Sequence, residues 1–164
     1  MDTDRIEKKI VLKAPRERVW NAISDSRQFG TWFGAALDGP FVLGKWLSGR
    51  IAPTKVDPQV AKMQEPYAGR PMHLLVENIE PMTRLSFRWH PYGLAEGQDH
   101  TKAPTTLVTF ALSDVADGTL LTITEAGFDQ LPPERRDEAF KGNEEGWEHQ
   151  TRLIEKYLSK GTEA

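Results

Sequence analysis

Glu125 sets side-chain chemistry against position more sharply than any other residue in this 164-residue chain. Leu121 and Ile123 alternate along the extended segment Thr119–Ala126, and counting on by two puts Glu125 on the same apolar, inward face. An inward carboxylate must find a partner or titrate upward. It is therefore either an anchor or acid/base for a bound molecule, or a structural group. In the second case it pairs with an arginine such as Arg88 or Arg136, or reaches solvent at a strand end. Asn143 poses a similar choice. It lies three residues after Phe140 and four before Trp147, on the apolar side of a helix, where it hydrogen-bonds a ligand or caps a buried polar group. Glu77 is a weaker candidate, because Leu74-Leu75-Val76 gives no face assignment.

Other chemistry-bearing residues are sparse. The four histidines, His73, His90, His100 and His149, show no HxH or HExxH spacing, so no metal site is expected. His149 falls two residues past Trp147 and belongs on the outer side of its helix. His90 continues the polar face of a strand and joins Glu125 as a weak catalytic candidate, although Pro91 blurs its face. A Gly-x-Ser-x-Gly elbow, a P-loop and a dinucleotide-binding glycine motif are all missing, so serine hydrolase, NTPase and Rossmann readings lack support. No cofactor is implied. Without cysteine there is no disulfide, thiol nucleophile or Cys-ligated zinc.

The elements that must position these groups follow from periodicity and breakers. Ile10–Phe33 reads as a short strand, an Ala-Pro break and two short helices, with Pro15 suited to a first helical position. Val19, Trp20 and Ile23 share one side of the first helix; Phe29, Trp32 and Phe33 repeat the i, i+3, i+4 spacing after the Ser24-Asp25-Ser26 joint. Such aromatics make a lid on a sheet or ordinary core packing. Gly39, Pro40 and Gly44 punctuate a turn and a strand. Pro53–Pro71 carries Pro53, Pro58, Pro66, Gly69 and Pro71, which predicts an irregular loop rather than regular structure. Strands are expected at 72–80 and 83–90 around a tight Pro81-Met82 turn, the second with Leu85, Phe87 and Trp89 on one face. The polar loop GLAEGQDHTKAP precedes a hairpin whose first arm, Thr106–Ser113, presents Val108, Phe110 and Leu112; Asp117-Gly118 signals its turn. The 53–71 and 92–104 segments are expected at a cavity mouth or subunit contact, more mobile than the strands.

A long helix over 134–159 closes the chain, with Phe140, Trp147, Thr151, Ile154 and Leu158 on one side and Lys156, Lys160 and Gly161 marking its end. Gly142 and Gly146 are anomalous there. Each costs about 1 kcal/mol against alanine inside a helix, and their one-turn spacing predicts close approach of the backbone to the sheet or to a ligand. Sequential antiparallel strands, with one long helix to cover them, give an α+β layer architecture.

Composition bounds the rest. A chain of 164 residues with 38% hydrophobic and 27% charged residues fits one ordinary globular domain over 1–164. A formal net charge of −3, with bases interleaved among acids, argues against a nucleic-acid partner. No apolar run exceeds three residues, so membrane insertion is not expected, and MDTDRIEKK lacks the apolar core of a signal peptide; a cytoplasmic location is the expectation. Neither repeats nor low-complexity segments are seen.

The Ile10–Phe33 stretch resembles the opening of the START-like superfamily (SRPBCC, helix-grip). Within it, the chain is similar to the bacterial relatives of the activator of the ninety-kilodalton heat-shock chaperone ATPase. Four further blocks match that branch in order: DGPFVLGKWLSGRI, VENIEPMTRLSFRWHPYG, TTLVTFALSDVADGTLLTITEAGFDQLP and RRDEAFKGNEEGWEHQTRLIEKYL. The resemblance implies a curved antiparallel sheet wrapped around the C-terminal helix, with a cavity between them. It further implies binding of a small, largely apolar molecule lined by Trp20, Trp32, Phe33, Phe87, Trp89, Phe110, Phe140 and Trp147, with Glu125 and Asn143 as polar anchors. Two alternatives come with it: a polyketide cyclase/dehydratase-like enzyme using Glu125 or His90, and a chaperone ATPase activator or protein-interaction module. A homodimer is also possible.

Overall fold

In the computed structural model, which describes residues 5–93 and 97–160, seven strands form one antiparallel sheet. The chain runs β1 (Arg5–Leu12), α1 (Arg16–Ser24), α2 (Ser26–Phe33), β2 (Ala35–Leu37), β3 (Trp46–Ile51), α3 (Pro58–Gln64), β4 (Pro71–Glu80), β5 (Arg84–Trp89), β6 (Thr106–Val115), β7 (Gly118–Ala126) and α4 (Pro133–Lys160). The strand order β1-β7-β6-β5-β4-β3-β2 makes every pairing but β1–β7 sequential, and the curved sheet is covered on one face by α4 and the two short helices. This is the helix-grip layout expected from the sequence. Gly161 and residues 94–96 of the 93–104 loop lie outside the described residues.

Strict alternation builds the inner face. Val108, Phe110, Leu121, Ile123, Leu85 and Phe87 are all buried, and their neighbours in sequence turn outward. In β4 the register shifts between Val76 and Asn78, so two residues oppose one on β5 and Glu77 is pushed out to solvent. That bulge is why its face could not be read by alternation. α1 and α2 bury Val19, Trp20, Ile23, Phe29, Trp32 and Phe33. Gly34 ends α2 in the left-handed conformation (φ 103°), which lets the chain turn directly into β2.

Three sequence expectations are corrected. The 53–71 segment is not irregular throughout: Asp57 accepts from the backbone N–H groups of Gln59 and Val60, and with Pro58 at the first helical position it starts α3. Breakers there act as a helix start. The β6–β7 link is Ala116-Asp117, one residue earlier than expected. Gly118 opposes Val115 inside the ladder, where a Cβ would collide with the Leu12 carbonyl oxygen. Gly142 and Gly146 make no close approach, since a Cβ at either would meet no atom within 4 Å. α4 otherwise packs as its spacing predicts: Trp147, Leu153 and Ile154 are buried, and half-buried Phe140 meets Phe128 edge-on at 5.2 Å.

Candidate functional site

The last residue of β5, the first of β6 and the penultimate residue of β7 converge at one end of the sheet, because Trp89 pairs with Thr106 and Val108 with Glu125. Glu125 is fully buried there, as alternation predicts. Its partners are not arginines. Trp147 Nε1 donates to Oε1 at 2.8 Å, while Trp89 Nε1 and the Thr106 hydroxyl donate to Oε2 at 2.8 and 2.5 Å. Asn143 Nδ2 lies 3.0 Å from both oxygens. Arg88 instead pairs with Glu77 at 3.0 Å, and Arg136 donates to the Asp129 and Leu131 carbonyls. A carboxylate is acceptor-only, and two indoles, an amide and a hydroxyl satisfy it from two strands and α4. Among the described residues no ion pair involves Glu125.

Beside this cage lies a small pocket of about 80 Å³, lined by Phe33, Trp89, Asn143, Gly146, Trp147 and Gln150. The three rings stand within 5.6 to 6.0 Å of one another, centroid to centroid. Helix α2 ends at Phe33, whose carbonyl has no partner within the helix. Gln64 Nε2 at 3.2 Å and Gln150 Nε2 at 3.0 Å donate to it. That contact fixes the Gln150 amide, because only its nitrogen can donate to a carbonyl. Gln150 Oε1 is left buried without a hydrogen-bond partner.

The proposed lining residues therefore divide. Phe33, Trp89, Asn143 and Trp147 surround the pocket, with Glu125 behind them. Trp32, Phe87 and Phe110 are fully buried in the core, Trp20 is buried under α1, and Phe140 sits on Phe128; none of these five lines the pocket. Sequence reading missed Gln150 and Thr106. Both carry a signal: Gln150 follows Asn143 and Trp147 at i+7 and i+3, and Thr106 is two before Val108.

His90 is elsewhere. It lies past the inward Trp89, stacked on Trp46 at 5.8 Å on the outer side of the sheet. There the fold assembles a cluster that no spacing announces: His100 stacks on His73 at 4.0 Å and meets Trp46 edge-on at 4.9 Å. Ser48 Oγ lies 2.9 Å from His73 Nδ1, and His90 Nε2 donates to the His100 carbonyl at 2.9 Å. Burial, then the nearby imidazoles, lowers the His73 pKa; burial lowers that of His90 against the raising effect of its carbonyl bond. No group of His, Asp or Glu among the described residues is arranged to hold a metal. A wider trough of about 360 Å³ crosses the outer sheet face between Arg5, Arg84, Thr109 and Thr124, with short hydroxyl side chains and no aromatic wall.

A curved sheet gripping α4 defines a helix-grip protein, and solved structures share that fold. Residues 13–159 match the Activator of Hsp90 ATPase homolog 1-like protein family, and the chain belongs to that family. Its fold is similar to the crystal structure of DynU16, a protein in the dynemicin biosynthetic locus (24% identity, TM-score 0.69); the match covers 96% of this chain but 48% of that one, so this chain spans about half its length. The solution structure of the Aha1 dimer from Colwellia psychrerythraea is similar at 15% identity and TM-score 0.67, covering 96% and 98% of the two chains. A protein from Arthrobacter aurescens, solved by NMR, is similar at 19% identity and TM-score 0.71, covering 99% and 91%. No curated protein matches the chain.

Proposed function

We propose that the chain binds a small, largely apolar molecule, or the apolar end of a larger one, in the pocket between the sheet and α4. The observation that carries this is Gly146. A helix-interior glycine costs about 1 kcal/mol, no packing requires it, and it faces the one aromatic-walled opening of the site. Space is kept where a side chain would otherwise fill it. About 80 Å³ is well below the roughly 300–1,000 Å³ of drug-sized sites, so the bound group has only a few heavy atoms. An enzymatic reading has less support: the oxygens of Glu125 are committed to protein donors, and His90 lies on the other side of the sheet.

The experiment is a thermal-shift and NMR screen of small aliphatic and aromatic compounds against the wild type and Gly146→Leu. Compounds that shift the wild type but not the variant support the reading. No shift with any compound would transfer support to a protein-interaction role within the family. A homodimer belongs to the same proposal: the Colwellia relative was solved as a dimer, and Leu43, Met63 and Tyr67 are large exposed apolar side chains here. Light scattering that finds only monomer at high concentration would remove it.

A further inference from the structure

We propose that the ligand of this pocket carries a protonated amine: the site is built for a small alkylammonium ion rather than a neutral hydrocarbon. This rests on the small-molecule reading above and names its ligand class. Three observations converge on one sign of charge. Glu125 is a buried carboxylate whose hydrogen-bonding partners are all neutral, so its charge is solvated by dipoles but not cancelled by a cation. Two of those dipoles are the indole N–H groups of Trp89 and Trp147, which also wall the pocket. An indole that donates to a carboxylate is polarised toward its ring, and an electron-rich ring attracts a cation more strongly.

Gln150 supplies the second half of the match. Its Nε2 is held by the Phe33 carbonyl, which leaves Oε1 as a buried acceptor with no donor. An unpaired buried acceptor is costly, and an ammonium N–H at this position would satisfy it. The pocket thus offers π faces over an underlying negative charge, with the orphan Gln150 oxygen buried in its wall, and no lysine, arginine or histidine lines it. A carboxylate or phosphate ligand would be repelled by Glu125 and by the ring faces, while a neutral alkane would leave Gln150 Oε1 unpaired.

The test separates charge from shape. tert-Butylammonium and tert-butanol share one skeleton and can each donate a hydrogen bond, three N–H against one O–H, and differ in charge. Each is titrated into ¹⁵N-labelled wild-type protein, with sodium chloride as the ionic control, following the indole N–H resonances of Trp89 and Trp147. The expected result is that the ammonium shifts both indoles and binds about tenfold tighter than the alcohol, as a cation–π contact with the two indole rings allows. Gly146→Leu, which fills the pocket and removes no donor of the Glu125 cage, should abolish the shifts. Equal or tighter binding of tert-butanol overturns the cation inference and leaves the small-molecule reading standing. Silence with both compounds overturns both. Ammonium shifts that persist in Gly146→Leu place the ion elsewhere and also overturn the inference. Because Glu125→Gln can fail to fold, the charge is read from the ligand pair in wild-type protein.

Discussion

At the scale of single residues, the Glu125 cage decides what a substitution does. Glu125→Gln replaces an acceptor by an amide whose nitrogen is set against the N–H groups of Trp89, Asn143 and Trp147, with only the Thr106 hydroxyl able to turn and accept. Hydrogen bonds to a charged group are worth about 1.5–3 kcal/mol each, and a stranded buried donor costs about 1–3 kcal/mol. The variant should therefore lose at least about 2 kcal/mol in urea unfolding; an unchanged midpoint would show that the cage contributes nothing to stability. Gly142 and Gly146 predict the opposite sign. With open space at both positions, Gly142→Ala and Gly146→Ala should each stabilise by about 0.5–1 kcal/mol through helix propensity and reduced unfolded-state entropy. Only the second should weaken ligand binding. Destabilisation by Gly146→Ala would mean that the space is already required by something else.

At the scale of elements, the connection from β5 to β6 is held against the outer sheet by histidines. His100 is sandwiched between His73 and Trp46, and its carbonyl is held by His90. Asp99, beside His100, is turned to Thr101, whose hydroxyl and N–H both donate to it. The pKa values of His73 and His90 lie below the ordinary imidazole value, chiefly through burial and, for His73, also the neighbouring imidazoles. The unfolded chain then binds more protons than the folded one just below about pH 6.5. Stability is complete above that pH and falls as pH drops toward the lowered folded values, levelling off beneath them. Melting temperature measured from pH 8 to 5 should decline through this window. His100→Phe keeps the ring stack, removes the imidazole beside His73 and His90, and should flatten the decline. An equal decline in both proteins would show that burial, and not the neighbouring imidazole, sets the two values.

At the scale of the whole molecule, one helix completes the core. α4 brings Trp147, Leu153 and Ile154 against the inner face while reaching β1, α1 and α2, so it touches both ends of the chain's path. A chain ending at Pro132 would expose Phe87, Phe110, Leu121 and Ile123 and leave Glu125 without Asn143 and Trp147. It should show no cooperative thermal transition by near-UV circular dichroism. A sharp transition would mean that sheet and short helices form a stable unit without α4.

The chain's own periodicities determined its frame. Period-two runs such as Leu85-Phe87-Trp89 and Val108-Phe110-Leu112, the 3.6-residue stripe through Trp147 and Ile154, and the aromatics of α1 and α2 describe local geometry, which is written in neighbouring residues. The inward position of Glu125 was legible for the same reason. Its partners were not, because Trp89, Thr106, Asn143 and Trp147 come from different elements and only strand register and helix packing bring them within 3.0 Å. The same holds for the histidine cluster, whose members lie 10 to 27 residues apart in sequence, and for α3, where a cap and a proline read as breakers. Gly146 shows the limit most plainly. Its cost to the helix is visible in the sequence, but whether that cost admits a neighbouring backbone or leaves room for a ligand depends on what lies across from it, and only the tertiary structure places nothing there.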